Sequence, residues 1–173
     1  MRAHVSKIVV LSWILAAACG ALPAAPRAAP DAATGRAATR RAGLQIGLTT
    51  VYVDDQDRAL HFYTDVLGFA KKDDVSNGPY RWVTVTSPAD PNGAALQLAL
   101  GDNPAAKAYQ QALFQQGQPA AMLFTDDVKR DHERIKARGA EFTMPPTEVM
   151  AGSTIAVFKD GCGNLIQITQ LAR

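Results

Sequence analysis

A metal site or an acid–base pair needs imidazole, thiolate or carboxylate groups converging on one place. This chain has few to bring. Its three histidines are His4 near the start and His61 and His132, both inside segments of helical periodicity; none falls in a segment that alternates as a strand. Most carboxylates occupy turns and helix starts, with Glu141 and Glu148 as the strand-region exceptions. Glu148 as a general base and Tyr52 as a proton or hydrogen-bond donor are the weak catalytic candidates, and neither has a partner legible in the sequence. Positions 61 and 132 suit solvated or helix-packing histidines better than catalytic ones. Cys162 lies in a glycine-rich turn with no neighbour expected to activate its thiol. No nucleophile–base pair, phosphate-cradling glycine loop or dinucleotide fingerprint is present.

The elements that must position these groups come in two similar runs. Leu48 to Val53 alternates under β-branched and aromatic residues, as a strand does. Asp54 and Asp55 offer caps to a helix carrying Ala59, Leu60, Tyr63, Val66 and Leu67 on one side, stopped by Gly68. Strands follow from Phe69, over Tyr80 to Thr86, and over Ala95 to Leu100. Asn103-Pro104 opens a polar connecting helix that runs to about Gln116. The order then repeats: a strand over Ala120 to Thr125, caps at Asp126 and Asp127, a helix ending at Gly139, and strands over Glu141 to Met144, Ser153 to Phe158 and Leu165 to Thr169. Corresponding landmarks (Asp54 and Asp126, Gly68 and Gly139, Gln97 and Gln167) sit 70 to 72 residues apart. The spacing predicts a duplicated βαβββ unit: module one at 45–100, a connector at 101–118 and module two at 119–171, one domain over 44–173.

The first 43 residues differ in kind. Residues 1–19 read as an export signal, with Arg2 and Lys7 before an apolar run from Ile8 to Ala18 that is too short for a membrane span. The ending LAAACG is similar to a bacterial lipobox, with Ala16 where that pattern prefers leucine, so Cys19 is the expected lipidation site. Plain signal cleavage is the alternative. Residues 20–43 are an Ala/Pro/Gly/Arg tract, expected to be a flexible tether between a membrane anchor and the domain. Residues 1–43 carry a net charge of +5 and the remainder −3, with no basic stripe, so nucleic acid is not an expected partner. With Cys19 acylated, Cys162 would have no disulfide partner in the chain. The expected location is the periplasmic side of a bacterial envelope.

The segments DDQDRALHFYTDVLGF, DDVKRDHERIKARGAEF and DGCGNLIQITQ together resemble the vicinal oxygen chelate superfamily, which includes glyoxalase I, extradiol dioxygenases and bleomycin-resistance proteins. The resemblance implies an α+β fold in which two βαβββ modules curl a mixed sheet around a cleft. It also implies metal-ligand positions at the first and last strand of each module, which fall here on Leu48, Gln97, Ala120 and Gln167. Leucine and alanine have no donor atom and glutamine supplies no charge, so neither a divalent metal nor another cofactor is expected.

Strand parity, counted from those four positions, places Thr50, Tyr52, Gln97, Met122, Phe124 and Gln167 in the cleft; Trp82, Thr84, Thr154 and Phe158 join them because Val83, Val85, Ile155 and Val157 better suit the helix-covered face. The expected occupant of this aromatic cup is a neutral, partly apolar small molecule held without metal. The alternatives are a glyoxalase-like lyase or isomerase, or a dioxygenase, with unorthodox ligands, and a module that dimerises through its sheets.

Overall fold

A computed structural model describes residues 44–172 of the chain. The export signal, His4, Cys19 and the tether lie outside the described residues. The elements run β1 (Leu48–Val53), α1 (Gln56–His61), β2 (Ala70–Asn77), β3 (Tyr80–Thr86), β4 (Ala95–Leu100), α2 (Pro104–Gln115), β5 (Ala121–Phe124), α3 (Val128–Ala137), β6 (Phe142–Glu148), β7 (Thr154–Lys159) and β8 (Leu165–Gln170). They form two four-stranded sheets with the same topology, β1-β4-β3-β2 and β5-β8-β7-β6. In each, the first pair is parallel and the rest are antiparallel. The duplication expected from sequence is therefore present strand for strand: two βαβββ modules, α+β.

Local chemistry accounts for the helix ends. Asp55 caps α1, its carboxylate accepting from the backbone N–H groups of Asp57 and Arg58 at 2.9 Å each. Asp127 caps α3 by accepting from Arg130 N at 2.9 Å. The second aspartate of each pair is thus the cap. After His61 the first helix widens into a π-type turn over Phe62–Val66. Gly68 ends that turn with φ +88°, a left-handed conformation that side chains with a Cβ resist. β6 continues past the expected end at Met144, through Pro145 and Pro146, with register irregularities. An edge strand tolerates prolines because their missing N–H groups face no neighbour.

The helix-covered faces of both sheets share one hydrophobic core. Val51, Val53, Val83, Val85 and Leu98 meet Ala59, Tyr63 and Leu67; Val128 and Ile135 meet Ala156, Phe158, Ile166 and Ile168. The Phe62 ring lies 6.1 Å from that of Phe158 and 5.8 Å from that of Tyr63, joining the two halves. Arg134 of α3 and Arg138, which caps its C-terminus, reinforce this seam by donating to the carbonyls of Leu67 and Asp65, each at 3.1 Å.

A second seam runs through the connector. Gln110 of α2 is buried, and its Nε2 donates to Tyr52 O at 2.7 Å and Cys162 O at 2.8 Å. Asn164 Nδ2 donates to the same Tyr52 carbonyl at 2.8 Å. The Asp160–Asn164 turn that presents these groups is organised by Asp160, which accepts from Cys162 N, Asn164 N and Asn164 Nδ2 at 2.7 to 2.9 Å. Burial still pushes the Asp160 carboxyl above its usual range, against the pull of those hydrogen bonds.

Candidate functional site

Each sheet has one face covered by helices and one left open. On the first sheet the register places four side chains in one row across the strands. Asp73 stands opposite Thr84, Thr84 opposite Gln97, and Gln97 opposite Thr50. The row is hydrogen-bonded. Thr84 Oγ1 donates to Asp73 Oδ2 at 2.7 Å, Thr50 Oγ1 donates to Gln97 Oε1 at 2.9 Å, and Gln97 Nε2 donates to the Tyr80 hydroxyl at 3.4 Å. By the same parity Leu48, Tyr52, Val75 and Trp82 flank the row. Valines 51, 53, 83 and 85 point the other way, into the core.

The open face of the second sheet is more apolar. Met122 and Phe124 stand opposite Gln167 and Thr169, and Gln167 stands opposite Val157, which in turn stands opposite Met144. Gln167 Nε2 donates to Thr169 Oγ1 at 2.9 Å. Met122 is 53% exposed and Phe124 68% exposed; across on the first sheet, Val75 is 61% exposed and Tyr80 55%. Side chains of this size at this exposure are not filling a core.

Of the ten residues assigned to the cleft from sequence, eight have the parity of these faces: Thr50, Tyr52, Trp82, Thr84 and Gln97 on the first, where Thr84 and Gln97 are buried, and Met122, Phe124 and Gln167 on the second. Thr154 and Phe158 do not. Phe158 pairs with Ile166 and Phe142, is fully buried, and packs its ring 5.2 Å from that of Phe142. Thr154 shares its parity. The expected phase of β7 is therefore reversed. β-Branched Ile155 and Val157 take the open side, and the ring fills the space under the helices. Glu148 pairs with Thr154 and so has the same parity, away from Gln167. It is not placed to serve as a base on the open face.

Three residues on the first face were missed: Tyr80, Val75 and Asp73. Asp73 matters most, because the expected lining held no charge. A bulge in β2 between Lys71 and Asp73 shifts the pairing by one residue and turns the Asp73 side chain onto this face.

The remaining candidates have structural surroundings. His132 is buried with its ring 4.3 Å from that of Phe142, and His61 pairs with Asp65 on the surface. Cys162 is buried, and burial raises its thiol pKa to about 11, which works against thiolate chemistry.

The four places where the resemblance puts metal ligands do not fit a divalent ion. Leu48 and Ala120 present no donor atom. Both amide oxygens and nitrogens at the other two places belong to neutral side chains, and Gln97 is engaged by Thr50 and Tyr80.

Beside the open faces a hollow of about 320 Å³ lies against Phe124, Gln170 and Leu171, and two smaller ones accompany it. One of about 100 Å³ lies at Tyr80, Gln97 and Ala99, and one of about 240 Å³ lies between the sheets at Thr49, Phe69, Ala95 and Met122. A roomier hollow of about 440 Å³ lies against α2, at Asp54, Lys107, Phe114 and Gly163, where none of the face residues reaches it.

The family model for the Glyoxalase/Bleomycin resistance protein/Dioxygenase superfamily matches residues 45–168, most of the chain. The chain belongs to this superfamily. Among its relatives, the uncharacterized protein YurT of Bacillus subtilis (strain 168) is 49% identical over 127 residues, covering 73% of this chain and 99% of YurT. Two solved structures share the superfamily architecture. UcmS2 has a TM-score of 0.65 and 26% identity, covering 73% of this chain and 98% of its own. TnmS3, an antibiotic binding protein from Streptomyces sp. CB03234, has a TM-score of 0.61 and 27% identity, covering 76% of this chain and 98% of its own. Superfamily membership carries the fold and leaves the chemistry to the site.

Proposed function

We propose that this superfamily member binds a planar, partly apolar small molecule without metal, between the polar face of the first module and the apolar face of the second. In this reading the two faces that enclose one ligand come from two copies of the chain. The observation that carries it is the pair of open faces bearing exposed Tyr80, Val75, Met122 and Phe124, beside hollows that reach only the lower end of the roughly 300–1,000 Å³ of a small-molecule pocket. Apolar area of this kind on a soluble domain favours burial against a ligand or a partner. Likeness to an antibiotic binding protein supports the same direction.

Trp82 supplies a reporter. The chain has two tryptophans, Trp13 and Trp82, so Trp13→Phe leaves the cleft residue alone. Titrating that full-length variant in detergent with acridone, a flat neutral probe, should quench Trp82 saturably. Phe124→Ala should weaken the binding by about tenfold, as loss of an aromatic contact costs on the order of 1 kcal/mol or more. Native mass spectrometry should give twice the chain mass. A monomer whose Trp82 emission is indifferent to the probe would end this reading.

We also propose that the chain is exported and held at the membrane by acylation of Cys19. Labelled palmitate should enter the full chain in a bacterial host, and Cys19→Ala should abolish the label and release the protein to the soluble periplasmic fraction. Label retained in Cys19→Ala would refute the anchor.

A further inference from the structure

We propose that Asp73 makes this cleft selective for ligands that carry a cationic nitrogen, an ammonium or amidinium group attached to a flat ring system. The proposal rests on the binding reading above and adds to it the charge class of the ligand.

Among the side chains that register places on the open face of the first sheet, Asp73 is the one that carries a charge. It forms no ion pair among the described residues. Its neighbour Asp74, on the opposite face, shows the contrast. Arg81 grips both oxygens of Asp74 at 2.8 and 3.0 Å, and Lys71 adds a third contact at 3.5 Å. Arg81 and Lys71 are thus drawn to the far side.

The Asp73 carboxylate is nonetheless held in place. Its Oδ2 accepts from Thr84 Oγ1 at 2.7 Å, and its backbone N–H donates back to the same hydroxyl oxygen at 3.1 Å. One side-chain hydrogen bond leaves most of the acceptor capacity of a carboxylate unused. Charge-assisted hydrogen bonds from a ligand nitrogen would complete it. Trp82 shares the face two residues along β3 from Thr84, about 7 Å away at the usual strand rise, so a ring lying on the indole can present its cationic substituent to Asp73. The open face of the second sheet cannot neutralise this carboxylate. The charged residue that register puts on that side, Lys159, is already paired with Glu141 at 2.6 Å. Closing the faces over a ligand would lower the local dielectric and strengthen the attraction.

The test uses the full-length Trp13→Phe chain and two probes with the same three-ring frame, 9-aminoacridine, a cation at neutral pH, and acridone, which is neutral. The cation should quench Trp82 with an affinity about tenfold or more above that of acridone, an advantage that added salt reduces. Asp73→Asn, which keeps the shape and the contact with Thr84, should bring the two probes to within about twofold of each other. Equal affinities in the parent, or a preference that survives Asp73→Asn, would overturn the proposal and leave the binding reading standing. Failure of both probes to bind would overturn the two together.

Discussion

Phe158→Ala is expected to destabilise the domain by about 3–5 kcal/mol, the range for truncating a buried aromatic ring. Phe158 is fully buried and touches the ring clusters of both helix-covered faces through Phe62 and Phe142, so the cavity opens where the halves are joined. Against a total stability of about 5–15 kcal/mol for an ordinary domain, that loss brings the chain close to unfolding. Urea unfolding followed by circular dichroism measures it. Phe124→Ala is the control: its ring is mostly exposed, so it should shift the midpoint little while weakening ligand binding. If Phe158→Ala cost less than about 1 kcal/mol, its place in the core would be refuted.

Gln110→Leu is the second large effect. Its Nε2 is the donor that satisfies Cys162 O and shares Tyr52 O with Asn164. Leucine fits the size but offers no N–H, leaving the Cys162 carbonyl without that buried partner at a cost of about 1–3 kcal/mol. The loss falls on the seam between the first strand of one module and the Asp160–Asn164 turn of the other. Hydrogen exchange should therefore speed up at Cys162 and Asn164, whose amides bond to Asp160. Gly163 offers an independent check, since a Cβ there would lie 2.8 Å from Gln110 Nε2 and φ is +92°. Gly163→Ala should destabilise the same turn. Unchanged stability and exchange in Gln110→Leu would show that the connector does not hold the modules.

What could be read from the chain alone followed from clean patterns. Valines at 51, 53, 83 and 85 alternate with polar or aromatic residues, so one face of each strand was plainly apolar and parity could be counted. Glycines at 68 and 139 and the paired aspartates marked the helix ends to within a residue. In β7 the pattern failed. TIAVFK is apolar on both parities, and residue size does not say whether a ring or a β-branched side chain goes under the helix. Gln110 was illegible for the opposite reason: a polar residue in a polar helix reads as solvated surface until the turn that needs its amide is seen folded against it. The hollow at α2 and the π-type turn after His61 left no sequence signal.

The bulge in β2 has a consequence for how such a cleft changes its preferences. Paired without interruption from Ala70 opposite Thr86, the strand would set Lys72 opposite Thr84; with the extra residue, Asp73 stands there instead. The polarity presented to a guest molecule is thus set by strand phase, not by composition. A relative that keeps the same run of lysines and aspartates but loses the irregularity would show an ammonium where this protein shows a carboxylate. It would exchange a taste for cations for a taste for anions with every other wall of the site unchanged.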